Sequence, residues 1–361
     1  MEEALKRIRF EEEEDEDRMS ELPDSLLVEI LSRLPSTKDA IRTTTLSKRW
    51  QHLWTAVTNL NFRHPDGLFT SPDFFSFVDK TLTQRPQSKL NKLTLVTRYG
   101  NWRKSRVHNW IRYAVNCNVE DLHLMLWEPW EPEPRTGFPL DDFVFIGSCF
   151  THLTLAGCAF NPTGAISWKN LRSLRIIYGN LDEDLIENIL SGSPVLETLV
   201  LNGCYGYRRL NITSKSVKNL VFSSYLAADL INDPLDVIEI NAPNILSLKI
   251  EGELMLWKIL LLNVSSLVEA DLDYRKPFGH FETTREEADE EMLKEFILNL
   301  RHVKDLKIRN SCSKVLDCLK AKGFISPSNL KVLDNGPAGN ELQQQVDAAT
   351  SSGEEDGKSN A

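Results

Sequence analysis

Residues 150–204 contain one short pattern three times: FTHLTLAGC at 150–158, LRSLRIIYG at 171–179 and LETLVLNGC at 196–204. Each string begins with an apolar residue, skips two positions and then places two more apolar residues on either side of a single residue. Side chains alternate across a β-strand, so the last two apolar residues point to the same face. Each string therefore predicts a short strand with one buried face and one face of variable residues.

The same pattern occurs nine times along the chain. Its middle apolar residue stands at positions 93, 122, 153, 174, 199, 220, 248, 270 and 306. Most of the steps between these positions fall within the ~20–29 residues that are typical of leucine-rich repeats. A tenth copy, at Leu330 and Leu333, is incomplete.

Amphipathic helical patterns lie between several of these strands. Apolar residues at helical spacing run through 74–82, 107–115, 185–190 and 292–300. Stacked repeats bury such faces against one another. The sequence therefore predicts an α/β fold in which a curved leucine-rich-repeat solenoid has short strands on its concave face and helices on its convex face. Chance matches in a leucine-rich chain are the alternative, which this ordered recurrence disfavours.

Residues 20–54, SELPDSLLVEILSRLPSTKDAIRTTTLSKRWQHLW, have a purely helical pattern. Pro23 and Asp24 suit the first turn of a helix, and Pro35 ends it. Residues 36–39 resemble a capping box that opens a second helix, and a third is predicted over 44–54. Three helices this short cannot enclose their many large apolar side chains. We expect part of that surface to meet either the repeats, as a cap, or a partner.

This module resembles an F-box of the plant type, on the strings LPDxLLxxILSxLP at 22–35 and LSKRW at 46–50. The resemblance implies binding to the Skp-type adaptor of an SCF ubiquitin ligase and, through it, to a cullin. Carried over by position, the residues that would provide or support the interface are Leu22, Pro23, Leu26, Leu27, Ile30, Leu31, Leu34, Pro35, Leu46, Trp50 and Leu53. The residues alone do not decide which of these contact the adaptor and which pack internally.

The repeats resemble those of plant F-box/leucine-rich-repeat proteins of the FBD-associated type. The strings that carry the likeness lie at 153–158, 190–197, 242–244 and 264–270. The last strand pattern runs directly into an acidic stretch, so we expect the FBD domain to be absent or truncated. The expected organisation is a disordered acidic arm (1–19), an F-box (20–60), the solenoid (61–333) and a disordered acidic tail (334–361).

The distribution of charge excludes several functions. The net charge of −10 resides in the two ends and leaves the body about neutral, so the basic face that nucleic acid requires is not expected.

No apolar run approaches the length of a membrane span, and no secretory leader is evident. Six sparse cysteines favour a reducing compartment, the nucleus or the cytoplasm.

Catalytic signatures are missing from the sequence. It contains no phosphate-binding loop, nucleophile elbow, zinc-protease motif or EF-hand loop, and its seven histidines lack metal-ligand spacing. We therefore expect no catalytic, cofactor-binding or metal-binding residue and no enzymatic activity.

The resemblance implies a substrate-receptor subunit that holds a target protein on the repeats. Candidate target-binding residues alternate with the core leucines or flank them: Thr94, His123, Thr154, Arg175, Val200, Lys249, Asp271, Lys307, Asp121, His152, Asp305, Trp127 and Trp130. Each could instead be an ordinary solvated residue, and the two tryptophans could cover the solenoid edge.

Two alternative functions stay open. One is a small-molecule co-receptor with a solenoid pocket, which the lack of a visible basic cluster disfavours; the other is a non-degradative repeat-protein scaffold.

Overall fold

Eleven parallel strands form one continuous sheet in the computed structural model, which describes residues 18–63, 72–100, 103–127, 137–225, 237–276 and 282–333. Numbered in chain order, the strands from one edge to the other are β1 (Asn59–Arg63), β2 (Lys92–Arg98), β3 (Asp121–Trp127), β5 (His152–Ala156), β7 (Ser173–Ile177), β8 (Thr198–Cys204), β10 (Asn219–Tyr225), β12 (Ser247–Leu254), β14 (Glu269–Arg275), β15 (Asp305–Arg309) and β16 (Leu330–Leu333). The nine predicted strands are confirmed, and the incomplete tenth is β16.

The register keeps equivalent repeat positions side by side. Leu93 lies opposite Leu122, and Leu122 lies opposite Leu153. These leucines are almost fully buried and belong to one core that runs the length of the sheet. Because each strand buries the same positions, a one-residue slip would expose its whole apolar set, and the register is strongly specified.

Helices cover the core from the other side between β1 and β8 and again between β14 and β16. They are α5 (Pro72–Gln84), α6 (Lys104–Asn116), the short α7 (Asp142–Phe145), α8 (Glu183–Gly192), α9 (Glu282–Asn299) and α10 (Asn310–Ala321). The four helices that the spacing predicts are among them. The fold class of a helical N-terminal module followed by an α/β solenoid is confirmed.

The middle repeats replace the helical wall with strands. A second parallel sheet, in the order β13-β11-β9, is formed by β9 (Arg209–Asn211), β11 (Val237–Asn241) and β13 (Lys258–Leu262). Its inward residues, such as Ile238 and Ile240, are fully buried. These segments alternate with a period of two, which favours strands over helices. A further short pair joins β4 (Phe138–Pro139) to β6 (Cys158–Ala159).

The N-terminal module contains α1 (Arg18–Glu21), α2 (Asp24–Ser32), α3 (Thr37–Arg42) and α4 (Trp50–Leu53). The helix predicted over 44–54 is wrong in extent, since only α4 is α-helical and 3-10 turns at 43–45 and 54–56 flank it. The Thr43 and Thr45 hydroxyls donate to the carbonyls of Ala40 and Arg42 at 2.7 and 3.0 Å. Such bonds compete with a regular helix. The predicted arm and tail lie outside the described residues, except that α1 begins at Arg18.

Hydrogen bonds attach this module to the first edge of the large sheet. The Asn61 amide of β1 donates to the Thr37 hydroxyl at 2.7 Å, and the Thr58 amide donates to the Ser32 hydroxyl at 3.2 Å. Arg85, at the end of α5, donates to the carbonyls of Thr55 (2.9 Å) and Val57. The module therefore caps the sheet edge, where a strand would otherwise expose unpaired backbone groups.

Candidate partner-binding surfaces

Helix α2 of the N-terminal module presents two apolar faces. It begins directly after Pro23, whose extended backbone precedes the first turn and whose carbonyl accepts from the amides of Leu26 and Leu27. Leu27 and Leu31 are buried in the core. Leu26 and Ile30, one turn apart on another face, are 45% and 39% exposed. The helical period thus separates a packing face from a face available to a partner.

The LSKRW string fixes the start of this helix. The Arg49 guanidinium donates through Nε to the Asp24 carboxylate at 2.8 Å and through a second nitrogen to the Leu22 carbonyl. Trp50 is buried directly after it. The Ser36 hydroxyl accepts from the Asp39 amide at 3.2 Å, which confirms the N-cap half of the predicted capping box. The Asp39 carboxylate accepts from the Ser36 hydroxyl at 2.6 Å instead of from the Ser36 amide, so the reciprocal bond of a capping box differs from the prediction. The two faces of α2 are therefore rigidly oriented.

The structure sorts the eleven residues that the resemblance selected. Four of them are buried: Leu27, Leu31, Trp50 and Leu53. Two are half-buried against the core: Leu22 and Leu34. Five are exposed: Pro23, Leu26, Ile30, Pro35 and Leu46. Leu46 is 66% exposed, the most of any leucine in the module. The last five are named here the F-box outer surface. Met19, exposed on α1, was missed because it precedes the motif.

The second surface is the open face of the large sheet, which carries the residues that alternate with the core leucines. The register aligns Thr94, His123, Thr154, Arg175 and Val200 in one row across β2 to β8. The row continues through β10 to Lys249, Asp271 and Lys307. The alternation therefore places all eight predicted residues of this row next to one another.

Ion pairs fill the C-terminal half of the open face, β12 to β16. The pairs are Lys249–Glu251 at 2.6 Å, Arg309–Asp271 at 2.9 Å, Lys307–Asp305 at 3.4 Å and Lys331–Asp305 at 2.7 Å. Hydrogen bonding from Lys331 lowers the pKa of the Asp305 carboxyl, and hydrogen bonding to Asp271 raises the pKa of Arg309. The predicted residues Lys249, Asp271 and Lys307 are thus occupied with partners in their own sheet.

The N-terminal half of the open face, β2 to β8, carries apolar side chains next to its cations. A small cluster separate from the main core is buried there and is named here the open-face cluster: Met125, Ala156 and Ile177, with Val96, Trp127 and Tyr178 packed against them. The rings of Trp127 and Tyr178 meet edge to face, with centroids 5.8 Å apart. The predicted Trp130 lies outside the described residues.

His123 and Arg175 lie in the row next to this cluster. Burial first, and then the positive charges of Arg63, Lys92 and Arg175, together lower the pKa of His123 to about 4, against the opposing charge of Asp121. Its Nε2 is buried and has no hydrogen-bond partner among the described residues. Sequence reasoning missed this concentration of cations because Arg63 belongs to β1, a strand it did not predict.

Arg175 is half-buried, and burial lowers the pKa of its guanidinium. Within the described part of the chain it forms no hydrogen bond or ion pair. The remaining predicted residues have ordinary surroundings: Asp121 pairs with Lys92 at 2.8 Å, and the exposed His152 contacts the Thr151 hydroxyl at 3.0 Å. Arg175 is thus distinguished from every other charge in its row.

The described residues contain no group of three or more side chains placed to hold a metal ion. Cys204 is buried in the core, and burial raises the pKa of its thiol to about 12, so this thiol is a packing group. A cleft of about 590 Å³ lies between α9 and α10, lined in part by Glu290, Lys322 and Phe324. It is on the helical side of the solenoid, away from the open face.

No described helix has the length and apolar character needed to cross a membrane.

Comparison with known families identifies two domains in the chain. Residues 19–61 match the profile of the F-box domain. Residues 83–328, more than half of the chain, match the profile described as "At1g61320/AtMIF1, LRR domain". The chain belongs to the plant F-box/leucine-rich-repeat family. Helices α2 to α4 are therefore those of its F-box, and the eleven-stranded sheet is that of its repeats.

Relatives from Arabidopsis thaliana span different shares of their own length. F-box/LRR-repeat protein 25 is 34% identical over 229 residues, which cover 63% of this chain and 83% of that protein. F-box protein At5g03100 is 30% identical over 319 residues, covering 86% and 94%. F-box/LRR-repeat protein At3g03360 is 30% identical over 269 residues, covering 71% and 51%. The chain thus spans nearly the whole of one relative and about half of another.

Proposed function

We propose that this protein is the substrate-receptor subunit of an SCF-type ubiquitin ligase in the nucleus or cytoplasm. The F-box outer surface binds a Skp-type adaptor and, through it, a cullin, and the open face of the repeats binds a target protein. The observation that carries this proposal is the division of α2, where Leu27 and Leu31 complete the core while Leu26 and Ile30 are left at the surface. Clustered exposed apolar residues on a helix are typical of a helix-in-groove interface.

The joint between the F-box and the solenoid supports a bridging role. Arg85 and Asn61 bond the two parts through buried or half-buried contacts, so that an adaptor on one and a target on the other have a defined relative orientation. A bridge of this kind raises the effective concentration of the target next to the transfer machinery. In this proposal the chain positions the target, and the other subunits carry out the transfer.

Co-purification of the full chain with a Skp-type adaptor tests this proposal. Replacing both Leu26 and Ile30 by Ala removes apolar contacts without touching the core, so we expect adaptor binding to fall at least tenfold while the circular dichroism spectrum is unchanged. Val268→Ala removes a similarly exposed side chain from the repeats and serves as the matched control. Trp50 is a poor probe because it is buried.

Wild-type chain that is folded and fails to bind any Skp-type adaptor would refute the ligase proposal. Equal binding by the double variant and wild type would refute the assignment of the F-box outer surface.

A further inference from the structure

We infer that the target-binding site lies on the N-terminal half of the open face, β2 to β8, and that its occupant is an acidic segment of a protein. A carboxylate of that segment would pair with Arg175, and a neighbouring apolar side chain would lie on the open-face cluster. This inference rests on the proposed function, because it names the chemistry of the target that the repeats would hold.

Arg175 carries a charge that its own sheet does not neutralise. The residues beside it in the row are Thr154 and Val200, neither of them acidic. The carboxylate that acts on it electrostatically, Glu251, is already paired with Lys249 at 2.6 Å. A half-buried guanidinium without an ion pair of its own has lost hydration and gained only the weaker attraction of a carboxylate that already pairs with Lys249, which is unfavourable unless an anion arrives from outside. The planar guanidinium suits a carboxylate, which it can bind through two parallel hydrogen bonds.

The surroundings of Arg175 strengthen the preference for an anion. Arg63, Lys92 and Arg175 together depress the pKa of His123, so they act on the same small region of the open face. Among the described charges that act on His123, Asp121 is the carboxylate that opposes them, and it is paired with Lys92. Cations outnumber carboxylates around His123, so an acidic segment complements this region better than a neutral or basic one.

The open-face cluster supplies the apolar part of the site. Ile177 is two residues after Arg175 on the same strand, and therefore on the same face. Trp127 and Tyr178 pack against the cluster and remain half-buried. Aromatic side chains in such positions commonly provide much of the binding energy of an interface.

The dimensions favour a peptide segment over a small molecule. From β2 to β8 the sheet crosses four strand spacings, which at ~4.8 Å each give about 19 Å. An extended segment covers that distance with about six residues at ~3.3 Å per residue. The row from Thr94 to Val200, which includes Arg175, runs beside the apolar cluster across these strands, so that one extended chain can contact both.

Selection of peptides on the full chain tests this inference and does not require the target to be identified first. A display library of random twelve-residue peptides is selected on wild-type protein, and the affinities of the recovered peptides are measured for Arg175→Met and Arg309→Met. Both variants remove one arginine from the open face, but Arg309 is paired with Asp271 in the C-terminal half. We expect recovered peptides to carry Asp or Glu beside a large apolar residue, to lose at least tenfold affinity for Arg175→Met, and to bind Arg309→Met within about twofold of wild type.

Four results would overturn the inference. They are the recovery of no peptide, peptides without an acidic residue, equal affinity for wild type and Arg175→Met, and phenylacetate binding as tightly as the best peptide, which would indicate a small-molecule site. Adaptor binding is measured on the same variants and should match wild type, since Arg175 is far from the F-box in the strand order. Failure of the wild type to bind a Skp-type adaptor would refute the ligase proposal, and the peptide result would still be valid.

Discussion

The two halves of the open face use one backbone for different chemistry. Strands β3 and β14 bury the same pattern of leucine or alanine on the core side, and the register carries one row of residues across both. In the C-terminal half the cations and the carboxylate of that row pair with Glu251, Arg309 and Asp305 in the neighbouring rows of the same strands. In the N-terminal half the row lies against an apolar cluster and includes Arg175, which has no ion pair among the described residues. The buried positions thus determine the fold, and the alternating positions determine what each half can bind.

The largest expected difference between the halves concerns a charge placed in the open-face cluster. Ile177→Asp would bury a carboxylate among Met125 and Ala156, and we expect the free energy of unfolding to fall by about 3 kcal/mol or more. Asp273→Ala, on the corresponding row of the C-terminal half, removes a hydrogen bond with Asn310 and should cost only ~1 kcal/mol. Urea denaturation followed by circular dichroism measures both.

A similar loss in the two variants would contradict the comparison, because it would mean that the apolar cluster is as tolerant of charge as the ion-paired half. Ile177→Val, which keeps the position apolar, controls for the loss of side-chain volume and should cost about 1 kcal/mol.

A smaller effect than that of Ile177→Asp is expected from acid, which should lower the free energy of unfolding through His123 in the N-terminal half of the open face. The folded chain holds the pKa of His123 at about 4, below the ordinary value of 6.5. The unfolded chain therefore binds this proton more readily, and the stability contributed by neutral His123 is complete above pH 6.5 and is lost as the pH falls toward 4. His123→Gln should flatten the dependence of unfolding free energy on pH in this window, whereas His152→Gln, an exposed residue of the same sheet, should leave it unchanged.

Titration of the histidine resonances by NMR checks the same prediction directly. A His123 midpoint near 6.5 in the folded chain would show that its environment is neither buried nor cationic, and would remove the electrostatic part of the comparison.

The repeat pattern predicted most of the fold because burial on one face leaves a period that is readable without a structure. Strand β1 escaped prediction since its core side contains only Leu60 and Phe62, and the predicted boundary between F-box and solenoid, after residue 60, divided it. The strands β9, β11 and β13 were missed for a related reason. Three to five alternating residues are too few to distinguish from a loop, and their partners are about 20–30 residues away in sequence.

The candidate sites were less predictable than the fold. The alternation correctly placed Thr94, His123 and Arg175 in one row, because that follows from strand geometry alone. Which charges of the row would find partners depends on side-chain direction and on residues two positions away, such as Glu251 beside Lys249. The motif likewise gave the F-box residues, while their division into buried and exposed depends on how α2 packs on α4 and on the 3-10 turn at 54–56.

The most direct test of the central comparison is the sign of two matched stability changes. Arg175→Met removes a half-buried charge that forms no ion pair with the described residues, so the free energy of unfolding should stay the same or rise by up to ~1 kcal/mol. Arg309→Met removes the partner of Asp271, at 2.9 Å in a partly buried pair, and the free energy should fall by ~1–2 kcal/mol. Opposite signs are the predicted result. An equal fall in both variants would show that Arg175 is neutralised within the chain and would contradict the account.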